Sequence, residues 1–189
     1  MKTPHLRCRR IWIVAGVLVT AFATRAVAQT AAPTADQVKA AYLHKFAGYV
    51  ECPPKAFADP AKPFVVAVVG ADTVYSELAR LVAGRTVQGR AVEVRHLERT
   101  DVAADVHIVY VGKEVGAEAA AGIVAAYRGK PVLTVTDVPR GIDAGAALNF
   151  VQSDKRVRFD AAPTVAEQSG LHLSSRLLAV AEKVGGTAP

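Results

Sequence analysis

A few short, almost wholly apolar runs limit what this chain can fold into more than anything else in it. "FVVAVVG" at 64–70, "VHIVYVG" at 106–112 and "PVLTVT" at 131–136 are rich in β-branched residues and show little polar alternation. A strand that is apolar at odd and even positions alike needs cover on both faces of its sheet. The segments between them supply that cover. "TVYSELARLVAG" at 73–84 has helical character and a stop at Gly84, and Val115, Ala119, Ile123 and Tyr127 recur at intervals of four before Gly129. "AVEVRHL" at 91–97 alternates like a half-buried strand. Strands and helices in this alternation predict an α/β three-layer sandwich, with a mostly parallel central sheet and helices on both faces.

Both flanks of this region read differently. Thr34 with Gln37 three residues on forms a capping-box start, and Val38, Tyr42, Phe46 and Val50 then recur along a helix with Leu43 and Tyr49 beside them. Pro53 and Pro54 end it, because proline cannot continue a helix. After Asp137, "AALNFV" at 146–151 and "RVRFD" at 156–160 are separated by the polar "QSDK", which predicts an antiparallel hairpin at the sheet edge. Helices are expected at about 163–169 and 174–184, with Gly170 between them.

Residues 1–28 run from a basic stretch through an apolar one to "AVA", the order of a secretory signal peptide, with cleavage expected after Ala28. A linker (29–34), one folded domain (35–184) and a flexible tail (185–189) follow in this reading. The apolar run is short for a membrane span. Five of the 23 Lys and Arg lie in that leader together with no Asp or Glu, leaving 18 basic against 17 acidic side chains. A net charge near zero removes the basic footprint that nucleic-acid binding needs. Cys8 departs with the leader, so Cys52 is left alone without an internal disulfide. The fold must then be held by its core, which is feasible where roughly 70% of the chain's surface can be buried.

Chemical motifs are sparse. "VVGADT" at 68–73 carries one glycine and no Walker-type Lys, so it reads as an ordinary strand-to-helix turn capped by Asp72 or Thr73. His44, His96, His107 and His172 are scattered, with no metal-ligand spacing, and His107 inside a strand reads as a hydrogen-bonded core residue. In "SGLHLSSRLLAVA" at 169–181, His172 and Ser174 would share a face of an extended segment, yet no G-x-S-x-G occurs and no orienting third group can be named. Ser174 or Ser175 reads as the cap of a helix whose buried stripe is Leu177, Leu178, Ala181 and Val184. No metal, cofactor or catalytic residue is assigned.

"KAAYLHKFAGYVECP" at 39–53 and "RVRFDAAPTVAEQSGLHLSSRLLAVA" at 156–181 resemble the YfiR-like family of periplasmic proteins. "GRTVQGRAVEVRHL" at 84–97, "GKPVLTVTD" at 129–137 and "LNFV" at 148–151 fit the same layout, so the likeness covers roughly 35–184. The resemblance implies a non-enzymatic periplasmic repressor that engages the periplasmic domain of an inner-membrane diguanylate cyclase and so lowers cyclic-di-GMP signalling and biofilm formation. It also implies a homodimer, and sequestration by an outer-membrane lipoprotein. Cys52 stands where the family commonly has Trp, and Ala161–Ala162 replace Ile-Asn. The disulfide cysteines of the family's founding member are absent, so redox control through such bridges does not carry over, and Cys52 would act, if at all, between chains.

Two sets of residues are candidate contacts. Arg156, Arg158, His172, Ser174 and Arg176 gather around the C-terminal motif, where a small anionic or amino-acid ligand or a partner could bind; a solvated face is the alternative. Tyr42, Phe46 and Tyr49 form a candidate partner helix, against which a core stripe is the alternative. Besides repression, the chain reads as a small-molecule-binding accessory protein of a sensor or uptake system.

Overall fold

The computed structural model describes residues 32–53, 59, 61–99 and 101–185. The leader at 1–28, the linker up to residue 31, the stop at Pro54 and the tail at 186–189 lie outside the described residues. From the N-terminal side the elements are α1 (Ala35–Tyr49), β1 (Val50–Glu51), β2 (Phe64–Val69), α2 (Asp72–Val82), β3 (Thr86–Val87), β4 (Arg90–Leu97) and β5 (Ile108–Val111). A 3-10 turn (Lys113–Val115) leads into α3 (Ala117–Ala126), β6 (Leu133–Thr136), β7 (Leu148–Ser153) and β8 (Arg156–Ala161). The chain closes with α4 (Pro163–Gln168), β9 (His172–Leu173), α5 (Ser175–Leu178) and β10 (Lys183–Val184).

The expected α/β architecture is present. The main sheet has the order β10-β8-β7-β6-β5-β2-β4-β3. β4, β2, β5, β6 and β7 run parallel, and β7–β8 is the antiparallel hairpin. All six residues of β2 are buried, as the unbroken apolar run requires. Alternate strand residues feed two clusters on opposite faces. Phe64, Val66, Tyr110 and Phe150 pack under α1 and α2. Val65, Ala67, Val109 and Val111 pack with Ile123 and Tyr127 of the α3 segment.

Four details differ from the sequence reading. The hairpin is not outermost, because Lys183 and Val184 leave helical conformation and add β10 beside β8, pairing with Asp160 and Ala161. The C-terminal helix is therefore only Ser175–Leu178, and Val184 is exposed rather than part of a buried stripe. At the opposite edge Thr86–Val87 pairs back onto β4 through Gln88–Gly89, both at positive φ (52° and 77°). Such a two-residue turn matches strand twist, and Gln88 Nε2 also donates to Ala47 O and Val50 O at the end of α1. Finally, α2 starts at Asp72 with Ala71 as N-cap and no side-chain cap bond, so neither Asp72 nor Thr73 caps it.

α1 carries its capping box as expected, but its buried face is Lys39, Ala40, Leu43, Phe46 and Ala47. Lys39 replaces Val38 on that face, since a lysine can be buried when a carboxylate meets it. In α3 the inward residue is Ala120, not Ala119, for the helix starts at Ala117 and sets its own phase.

Candidate functional site

The C-terminal candidates sit on three short elements. Arg156 and Arg158 lie on β8, and Arg158 Nε is 4.0 Å from Glu182 Oε2. His172 is exposed on β9, which pairs antiparallel with β1, so that Glu51 faces His172 and Val50 faces Leu173. Ser174 N–H donates to Tyr49 O at 3.0 Å. The end of α1 and the "HLSSR" segment are thereby clamped together, although more than a hundred residues separate them. Tyr49 (39% exposed), Glu51 and His172 are in this way brought side by side on the surface, and Arg176, two residues past Ser174, is exposed on α5. Among the described residues no hydrogen bond or ion pair links Arg156, Arg158, His172 and Arg176 to one another.

Ser174 takes a helix-cap position, accepting from Leu177 N–H at 3.3 Å, while Ser175 is the exposed first residue of α5. Ser174→Ala is expected to lower unfolding stability by about 1 kcal/mol, and Ser175→Ala to stay within about 0.5 kcal/mol of wild type. Urea denaturation of the two variants checks this; equal costs would remove the cap assignment.

The aromatic residues of α1 divide by burial. Phe46 is fully buried against Phe150 and Phe159, with ring centroids 5.8 and 5.0 Å away. Tyr42 is half-buried on the same cluster, 5.7 Å from Phe46. Tyr49 alone of the three is exposed.

A second location, not foreseen from sequence, lies where parallel sheets commonly hold ligands. The chain runs from β2 out to β4 and then returns to β5 on the other side of β2, so the strand order reverses between β2 and β5. Crevices at the carboxyl ends of such neighbours are binding sites in open α/β sheets. Here a crevice of about 360 Å³ is bordered by Gly70, Ala71 and Thr73 of the β2–α2 turn, Arg99 after β4, Tyr110, and Glu114 after β5.

Lys39 of α1 closes the inner side of this crevice. Its Nζ is 2.6 Å from Asp137 Oδ2 and 3.4 Å from Asp36 Oδ1, and the Lys39 and Asp137 side chains are only 11% and 5% exposed. Burial acts to lower the Lys39 pKa, but the hydrogen bond and charge of Asp137, with Asp36, outweigh it and hold the ammonium above its ordinary 10.5. Tyr110 is fully buried with its hydroxyl beside the Asp137 carboxylate, although neither the hydroxyl nor Asp137 Oδ1 makes a hydrogen bond of good geometry among the described residues. Burial first, then the nearby carboxylates led by Asp137, push the phenol pKa up, so the hydroxyl keeps its proton. A hint was present in the sequence: Lys39 shares a helical face with Leu43, Phe46 and Val50. Nothing in the sequence pairs it with Asp137, 98 residues away.

The remaining reactive side chains are quiet. His107 Nδ1 accepts from Val65 N–H at 3.1 Å and stacks on Phe64, the hydrogen-bonded core histidine expected from its strand. Cys52 is free, packs against the larger core cluster, and burial pushes its thiol up to about 11, far from thiolate reactivity at neutral pH. Ala161 and Ala162 are buried. Among the described residues no three His, Cys, Asp or Glu gather as a metal site, and no helix is long and apolar enough to cross a membrane.

His44 on α1 has a buried, unpartnered Nδ1, and burial, followed by the Arg85 guanidinium, lowers its pKa below 6.5. Its neutral form belongs to the folded state, so the unfolded chain takes up the proton first as pH falls. The contribution is complete above 6.5 and is lost as pH drops toward the folded-state value. The urea midpoint should therefore fall between about pH 7 and pH 5, and fall less in His44→Gln. An identical pH slope in that variant would assign the effect elsewhere.

Comparison with known proteins gives one result that bears on this arrangement. A family model described as YfiR/HmsC-like matches residues 36–182, a span that contains both the clamp and the crevice. Among curated proteins no match is found.

Proposed function

The chain belongs to the YfiR/HmsC-like family, and from that premise we propose that it is a non-enzymatic periplasmic regulator. In this reading it holds down an inner-membrane diguanylate cyclase by binding the enzyme's periplasmic sensor domain, and so lowers cyclic-di-GMP and biofilm formation. The family match over residues 36–182 carries the reading. Regulation by contact requires a surface and no catalytic constellation. The patch of Tyr49, Glu51, His172 and Arg176 is the proposed contact, since it combines one exposed aromatic with charged groups, a composition common in interface hot spots. A homodimer presenting this patch twice, and capture by an outer-membrane lipoprotein, complete the proposal. The leader at 1–28 would deliver the chain to the periplasm.

Deletion of the gene should raise cellular cyclic-di-GMP, and the wild-type gene should restore it. Complementation with Tyr49→Ala/Arg176→Glu should fail at normal protein levels. Unchanged cyclic-di-GMP after deletion, with the cyclase expressed, overturns the reading. The crevice beside β2 and β5 favours a second reading, a small-molecule-binding accessory protein of a sensor or uptake system. Co-purification of the cyclase's periplasmic domain with the wild-type chain separates the two.

A further inference from the structure

We propose that the C-terminal end of α1 is held down by a strap, the β3–β4 hairpin, which protonation of His44 loosens. Acidification then weakens the surface around Tyr49 that the proposed function assigns to partner contact. The consequence rests on that reading; the strap itself does not.

The end of α1 has no cap of its own. The last carbonyls of a helix lack intrahelical donors. Neither a glycine stop nor a basic side chain in the last turn answers them here. Two distant donors do so instead. Gln88 Nε2 donates to Ala47 O at 3.1 Å and to Val50 O at 3.2 Å, and Ser174 N–H donates to Tyr49 O at 3.0 Å. The first clip hangs on the hairpin turn, where Gln88 itself stands at φ 52°. Thr86–Val87 is the whole of β3, the outermost strand on this side of the sheet, and only Val87 of the two is buried. An edge this short loses few contacts when it lifts, which places it among the easily opened parts of the fold.

His44 lies one turn before Ala47, on the face of α1 that carries Gln37 two turns earlier. Gln37 bonds Glu77 of α2, and Arg85 follows in the connection from α2 to β3. His44 Nδ1 is buried and has no hydrogen-bond partner among the described residues. The neutral ring tolerates this, because its one proton can sit on Nε2 and leave Nδ1 bare. The imidazolium carries a proton on both nitrogens, so it places a buried donor at Nδ1 with nothing to accept it. Arg85 adds a repelling charge. Glu77 and Arg80 of α2 pair with each other, and Glu51 of β1, Arg158 and Asp160 of β8 and Arg176 of α5 form no ion pair with His44. Lifting the hairpin moves Arg85 away and lets water reach Nδ1, but it also withdraws Gln88 from both carbonyls. The last turn of α1, with Tyr49, then frays and loosens the β1–β9 pairing that follows it. The opened state binds the proton more readily than the closed one, so acid favours opening. With the opened ring at its ordinary 6.5, one proton can favour opening by at most about thirty-fold at pH 5.

Amide hydrogen exchange on the purified mature protein, corrected for its intrinsic pH dependence, tests the strap at about pH 7.5 and about pH 5. Protection over residues 47–52 should be at least about ten-fold lower than over 64–69, since the strap opens without global unfolding. It should fall a further ten-fold or so on acidification in the wild type, and less than about two-fold in His44→Gln, which is neutral at both values. Gln88→Ala should lower protection over 47–52 about ten-fold already at pH 7.5, because the clip is gone without any proton. This second variant keeps the strap testable even where His44→Gln folds poorly. Equal protection of the two segments, no acid response in the wild type, an equal response in His44→Gln, or undiminished protection in Gln88→Ala would overturn the inference. Exchange needs no partner protein. A failed cyclic-di-GMP assay therefore leaves the strap standing, and a failed exchange test leaves repression standing.

Discussion

Asp137→Ala should cost about 3–5 kcal/mol of unfolding stability, the penalty for leaving a buried charge without its partner. Lys39 Nζ and Asp137 Oδ2 are 2.6 Å apart with both side chains almost out of solvent, and Asp36 at 3.4 Å is too exposed to replace the lost carboxylate. The variant tests geometry rather than charge count. Lys39→Met/Asp137→Leu removes both charges and should return stability to within about 1 kcal/mol of wild type, because apolar replacements of a buried pair are often neutral or better. The pH direction follows from Lys39. Its folded-state pKa is raised above 10.5, so its contribution is complete below 10.5 and is lost only as pH climbs through the higher value. Urea titrations at about pH 8 therefore read the full pair. A single-variant cost below about 1 kcal/mol would mean that the pair opens to water in solution.

Phe46→Ala is expected to cost about 3–5 kcal/mol as well, through lost burial and the cavity left behind. Phe46 is fully buried, stacked on Phe150 and edge-on to Phe159 at 5.0 Å, and Tyr42 leans on the same rings. Tyr49→Ala, three residues along the same helix, should change stability by less than about 0.5 kcal/mol. This contrast is the practical key to the proposed partner surface. Loss of repression in Phe46→Ala would report unfolding, whereas loss in Tyr49→Ala would report a contact. A Phe46→Ala protein as stable as wild type would refute the core assignment of α1.

Some of this protein was legible residue by residue. The unbroken run of β2 demanded burial on both faces and obtained it. Thr34 and Gln37 stand three apart and form the expected capping box, at 3.1 and 3.3 Å. Ser174 caps through a bond that closes within three residues. In each case the deciding interaction is local or depends only on the type of side chain. The short strands were not legible, because two residues such as Lys183–Val184 have no periodicity and become a strand only when Asp160 and Ala161 lie alongside. The same holds for β1 and β9, where Val50 and Leu173 form a strand pair only because α1 ends beside them. Phase errors had a similar origin. Apolar spacing put Val38 on the inner face of α1, but the available carboxylate of Asp137 turned Lys39 inward instead.

The candidate sites divide along the same line. Their residues could be nominated from the sequence, and Tyr49, His172 and Arg176 were, but Tyr49 and His172 are neighbours only through the β1–β9 clamp. The crevice could not be nominated at all. It arises from the reversal of strand order between β2 and β5 and from the uncapped start of α2. By itself the sequence determined the α/β class, the buried strands, the caps of α1 and α5 and the likeness to its family, because composition, periodicity and bonds across a few residues suffice for those. Only the tertiary structure decided which charge is buried, which edges close the sheet and where a ligand could sit. Those outcomes depend on which distant groups face each other once loop closure has been completed, and no local pattern encodes that.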